Sequence, residues 1–364
     1  MLILPEQFRH SSKIYDMKRL CWLLFVVFFL NTTLSSQSNS YADSWKLVDE
    51  ALEQNLPETA LRHLRELNLL VVKNQNLTQQ VKVRLYELRI KAEKDPSQVG
   101  YLLAEAEKSA SLLPVSAEKQ LMYLMLADAY HQYLRNNNYQ LSQRTTIAPV
   151  SGEGKPTPLP DNLNEWSKGD VLQKLTGLIQ LTLADSLLLQ QRAIVQGDEF
   201  ITTDTLALQS ATTWYDLVLQ KMQDMDMLEP GQGDKNYWLK RQLAFRRSQP
   251  EIFPLVIAEL RLVHQQYQNT NQSGAYRHYI ARLDSLQTLY NRHPEVVEIL
   301  SELASAYMNQ EGNKGGKQIA FRLCEEGIRR FPHYPRIHLL KNIQLHLATP
   351  SIQLATSRYF SSPE

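Results

Sequence analysis

The stretch "VVEILSELASAYMNQEGNKGGKQIAFRLCEEGIRRFP", from Val296 to Pro332, decides how the rest of the chain is read. Leu303, Ala304 and Tyr307 share one helical face, and Ala320, Gly327 and Pro332 mark a second helix beyond the turn "NQEGNKGGK". The small side chains let the two helices touch, and the proline stops the second helix before another begins.

The seven-residue and five-residue gaps separating Ala320, Gly327 and Pro332 are those at which tetratricopeptide repeats keep small residues and a closing proline. The turn is about four residues longer than that repeat allows. A single such unit cannot bury its own apolar face, so at least three stacked units are expected.

The composition supports helices throughout. Leu, Gln, Ala and Glu are abundant, and only 13 of 364 residues are Gly, which disfavours a sheet-rich fold with many tight turns. The 39 Lys and Arg nearly cancel the 38 Asp and Glu, so no global field draws the chain to nucleic acid or to an anionic membrane.

From Tyr41 the sequence falls into helical pairs. Trp45, Val48, Ala51 and Leu52 form one stripe, Asn55 and Pro57 mark a turn, and Ala60, Leu61, Leu64 and Leu67 resume the period. Helices follow over Leu77–Lys94, Val99–Leu113 and from Ser116, where Ser116 with Lys119 makes half a capping box. Residues 41–144 thus read as N-terminal helical hairpins, and the Pro- and Gly-rich segment at 145–165 reads as a surface loop.

Residues 166–348 read as a second helical region. Trp166 to Ile194 is expected as one long helix, Leu206–Met225 as the next, and two further helices run from Pro254 and through "SGAYRHYIARLDSLQTLYNRHP". The fold class expected is all-α: a right-handed solenoid of degenerate tetratricopeptide-like hairpins.

Two terminal segments stand apart from this fold. Residues 1–16 precede Met17 and look like a start misassignment. Residues 17–36 carry Lys18 and Arg19, an apolar run from Leu20 to Leu30 and a polar exit, the pattern of a secretory signal peptide. That run is shorter than the roughly 20 residues a spanning helix needs. Cys21 lies inside this signal, so Cys324 has no partner for an internal disulfide, and no lipid-anchor cysteine follows the apolar run. The mature protein is expected to be soluble, exported to the periplasm or associated with the outer membrane, and held by packing alone.

No catalytic or cofactor pattern emerges. His131, His293 and His333 are scattered without metal-ligand spacing, and "GEGKP" lacks the ending of a phosphate loop. "GDEF" at Gly197 to Phe200 shares four letters with a cyclic-dinucleotide synthase motif and nothing more. Backbone N–H groups of "GNKGGK", with Lys314 or Lys317, could hold an anion, although a stretched repeat turn is the more economical reading. Cys324 sits beside Ala320 and Leu323 as a core filler, and Trp45, Trp166, Trp214 and Trp238 fall at core spacing. No enzyme activity and no cofactor is expected.

The order of segments supplies a further resemblance. After the signal come "SWKLVDEALEQNLPETALRHLRELN", "LMYLMLADAYHQYLRNNNYQLSQRT", "WSKGDVLQKLTGLIQLTLADSLLL", "TLALQSATTWYDLVLQKM" and the closing pair. This resembles the helical N-terminal region of large bacterial alpha-2-macroglobulin-like proteins.

In that family the region precedes β-sandwich macroglobulin domains. The resemblance implies that "TPSIQLATSRYFSSPE", residues 349–364, starts one, with Ile352 to Phe360 as its opening strand. It implies a non-catalytic spacer or docking module of an endopeptidase inhibitor. Its partners would be proteins, namely the remaining macroglobulin domains and, through them, proteases. The chain has no thioester motif or bait segment, so inhibition belongs to a longer relative. The alternative is a free-standing periplasmic adaptor that binds proteins on a solenoid face.

Overall fold

The computed structural model describes residues 39–144, 163–195, 200, 209–225, 234–268, 274–309 and 315–348. Among them are fourteen α-helices and two short 3-10 turns, and the only β contact is an isolated bridge between Ala193 and Thr213. The all-α class is therefore seen directly. The proposed signal, the segment from Thr145 to Pro160, Gly197–Glu199, Lys314 and the tail at 349–364 lie outside the described residues. None of the helices described is long and apolar enough to cross a membrane.

The chain divides into two compact units, residues 1–232 and 233–364. In the first, α1 (Asn39–Glu53) and α2 (Pro57–Lys73) form the expected hairpin, with Pro57 in the first turn, where no N–H is needed. Asn55 and Gln75 take positive φ, 58° and 53°, at the ends of α1 and α2. Each closes its helix with the same pair of bonds. Leu56 N–H reaches Ala51 O at 2.8 Å and Asn55 N–H reaches Leu52 O at 3.0 Å. Asn76 and Gln75 repeat this onto Val71 and Val72.

Helix α3 (Leu77–Lys94) adds Val83, Tyr86 and Ile90 to a core already built from Trp45, Val48, Leu64 and Leu67. Trp45 Nε1 donates to Gln79 Oε1 at 2.7 Å, which satisfies the one polar atom of a buried indole. Helices α4 (Val99–Ser111) and α5 (Ala117–Ser142) follow. The half capping box is present: Ser116 Oγ accepts from Lys119 N–H at 3.2 Å. Lys119 then sends its ammonium back to the Ser111 and Leu113 carbonyls at 2.9 and 2.8 Å, covering groups that the end of α4 leaves free.

The expected long helix from Trp166 to Ile194 is instead two helices, α6 (Lys168–Leu183) and α7 (Ser186–Gln191). Asp185 leaves helical dihedrals at φ −118° and ψ 53°. Thr182 Oγ1 bonds back to Leu178 O at 2.8 Å, a contact that bends a helix. The turn that results lets Leu189 be fully buried. Leu206–Met225 is likewise interrupted, because Ala211–Thr213 leave the helix and α8 begins at Trp214 (Trp214–Asp224).

Both α6 and α8 start with a reciprocal capping box. Ser167 pairs with Asp170, and Thr213 pairs with Asp216. Thr213→Ala is expected to lower the unfolding free energy by about 1 kcal/mol and Thr213→Ser to retain most of it. Urea titration followed by circular dichroism would read both, and equal loss in the two variants would contradict the capping role.

The second unit contains α9 (Tyr237–Arg246), α10 (Ile252–Gln268), α11 (Ala275–Leu289), α12 (Val296–Asn309), α13 (Gly316–Arg330) and α14 (His338–Ala348). Each packs on the next, and α12 also touches α10 and α14. The core runs from Val256 and Val263 through Leu283 and Leu286 to Leu300, Leu303 and Leu340.

Candidate protein-binding surface

The residues that the repeat pattern singles out lie largely in one place. Leu303 and Ala304 on α12, and Ala320 on α13, are fully buried in the core of the second unit. Gly327 closes the same junction: a Cβ there would sit 2.4 Å from Leu340 Cδ1 and 3.0 Å from Leu300 Cδ1. The three helices can approach only because position 327 has no side chain.

Tyr307 points elsewhere; it is half-buried, and burial with the nearby Asp284 charge of α11 raises its hydroxyl above the ordinary range. Pro332 is exposed just past α13, whose last carbonyls are reached by Phe331 N–H bonding to Gly327 O at 2.9 Å. Leu303, Ala304, Ala320 and Gly327 are thus a packing device, and Tyr307 and Pro332 lie outside it.

Cys324 is fully buried in that core, and burial pushes its thiol up to about 11. Trp45, Trp166, Trp214 and Trp238 are all buried, and Phe200 lies edge-on to Trp214 at 5.8 Å. His131 is half-buried, whereas His293 and His333 are exposed. Among the described residues no group of three or more His, Cys, Asp or Glu could hold a metal ion.

Two clusters had no forewarning in the sequence. In the first unit Glu107 accepts from Tyr130 Oη at 2.7 Å and from Lys174 Nζ at 2.8 Å, while Tyr130 stacks on Trp166 at 5.7 Å. Both carboxylate oxygens are engaged, so the group ties α4 to α5 and α6. In the second unit Tyr267, Tyr276 and Tyr279 form a ring cluster with centroids 4.8 to 6.2 Å apart. Tyr276 donates to the Ala306 carbonyl and Tyr279 to Glu302 at 3.4 Å. Burial and the Glu302 charge push the Tyr279 hydroxyl above its ordinary range. With the hydroxyls of Tyr276 and Tyr279 engaged on α12, these rings bind helices together.

One accessible face of the second unit is the outer side of α13. Lys317, Gln318, Phe321 and Arg322, with Leu347 of α14, line an open groove of about 580 Å³. Phe321 is 37% exposed. Among the described residues neither Lys317 nor Arg322 has a carboxylate partner, whereas Arg330, two turns on from Arg322, pairs with Glu326 at 2.9 Å. The 317/321 and 318/322 spacings on a helix would have located this face, but only the packing of α14 makes it a groove. No family model, no curated protein and no solved structure matches this chain.

Proposed function

We propose that the chain is a non-catalytic helical module of an exported alpha-2-macroglobulin-like endopeptidase inhibitor. In this reading it is a right-handed solenoid of degenerate tetratricopeptide-like hairpins that spaces and docks protein partners in the periplasm or at the outer membrane. The supporting observation is the packing of the second unit. Helix α12 lies against α11 and α13 and also against α10 and α14, so alternate helices make a row, as stacked hairpins do. The segment order that resembles the family supplies the assignment to an inhibitor.

The test is the size and place of the native product, read with an antibody against residues 41–345 on cell fractions. The expected result is a band far above the 42.1 kDa of this chain, in the periplasmic or outer-membrane fraction. The whole product should then trap an added endopeptidase. A band at the size of this chain would overturn the reading.

It would favour a free-standing adaptor that binds proteins on a solenoid face.

A further inference from the structure

We infer that the α13–α14 groove binds an acidic peptide segment carrying an apolar side chain, presented by a partner protein. The inference rests on the docking reading above and names the chemistry of the ligand. Its floor is Phe321, which is exposed, and Leu347, which the core covers only in part. Its sides are Lys317, one turn before Phe321, and Arg322 beside it, with the Gln318 amide between them.

Cations on a helix surface are ordinary when a carboxylate one turn away answers them. Here Glu326 is engaged by Arg330, and the exposed Glu325, one turn from Arg322, forms no ion pair with it among the described residues. Removing an apolar side chain from water on the floor, while carboxylates meet the two cations, satisfies both features at once.

The wider charge favours the same ligand. Residues 233–364 hold seventeen Lys and Arg against eleven Asp and Glu, although the whole chain is nearly neutral. That surplus raises the local concentration and the association rate of an acidic partner. A bilayer surface fits less well, because membrane binding calls for a protruding apolar face and a broad basic array. Nucleic acid would need a longer track of cations along a backbone.

The experiment uses the mature chain and fluorescence anisotropy with three labelled heptapeptides. One alternates Glu with Leu, one replaces every Leu by Ser, and one replaces every Glu by Lys. The expected result is saturable binding of the Glu–Leu peptide only, weakened about tenfold or more in Lys317→Glu/Arg322→Glu and in Phe321→Ala, and weakened by added salt.

All three side chains face solvent, so circular dichroism should show both variants folded. If Phe321→Ala loses helix, the charge-reversal variant carries the test. Equal affinity of the variants, equally tight binding of the Ser or Lys peptide, or no binding at all would overturn the inference. So would a sedimentation dimer, or binding to phosphatidylglycerol vesicles, that the charge reversal abolishes while peptide binding is absent. Those two results would assign the groove to a second copy or to lipid. A small native product would remove the inhibitor reading and leave the groove standing, and absent peptide binding would do the reverse.

Discussion

Replacing Arg336 with methionine is expected to destabilise the second unit by about 3–5 kcal/mol at neutral pH, the cost of leaving a buried charge unanswered. The charge is Glu298 on α12, whose side chain is 5% exposed. Arg336 Nη1 stands 2.8 Å from one carboxylate oxygen, and Tyr334 Oη donates to the other at 3.0 Å. Hydrogen exchange across α12 to α14 would localise the loss, with the peptides of these helices exchanging faster than those of α9.

The pH dependence separates charge from packing. Burial raises the Glu298 carboxyl above its ordinary value of 4.5, and Arg336 and Tyr334 pull it back down. A folded-state pKa above the unfolded value means that the folded protein holds the proton more tightly. This group's contribution is therefore fully present below 4.5 and is lost as the pH rises through the folded value. Removing Arg336 raises that folded value further. The deficit of Arg336→Met should shrink as the pH falls from neutrality toward 4.5, and Glu298→Gln in the same background should restore stability at pH 7. A deficit that stays constant with pH would mean that Arg336 acts by packing, including its stacking 6.0 Å from the Phe253 ring.

Gly327→Val is expected to cost about 3 kcal/mol by overpacking, even though valine is the better helix former. The added carbon would lie 2.4 Å from Leu340 Cδ1 and 3.0 Å from Leu300 Cδ1, and both leucines are fully buried. Something must move, and the movable element is α14, which reaches the core chiefly through Leu340. A double-mutant cycle tests the cause. Gly327→Ala and Leu340→Ala should each destabilise alone, and the pair should be more stable than their sum by about 1–2 kcal/mol. Additive effects would show that the glycine is retained for another reason.

The helices of the first unit were largely legible in the sequence because their signals are local. Pro57 opens α2, Leu77–Lys94 is α3 to the residue, and Ser116 caps α5. Periodicity failed where a helix breaks without Pro or Gly. The apolar period of Trp166 to Ile194 continues through Ala184 and Asp185, and no local residue there announces the turn. The starts of α6 and α8 could have been found, since Ser167 and Thr213 each precede an Asp by three residues, a variant of the usual capping box with a shorter acid.

The surface features were less accessible. Lys317, Phe321 and Arg322 are visible as a pattern, but nothing in their spacing says that α14 will bring Leu347 alongside them.

The helical class, most helix starts and the small-residue positions Ala304, Ala320 and Gly327 are legible in the chain alone, because propensity, capping and periodicity act over a few neighbouring residues. Contacts between distant helices set why Gly327 cannot carry a side chain and that buried Glu298 meets Arg336. Those outcomes depend on which helices come into contact, and contact between distant segments is set by the packing of whole helix faces rather than by any local run of residues.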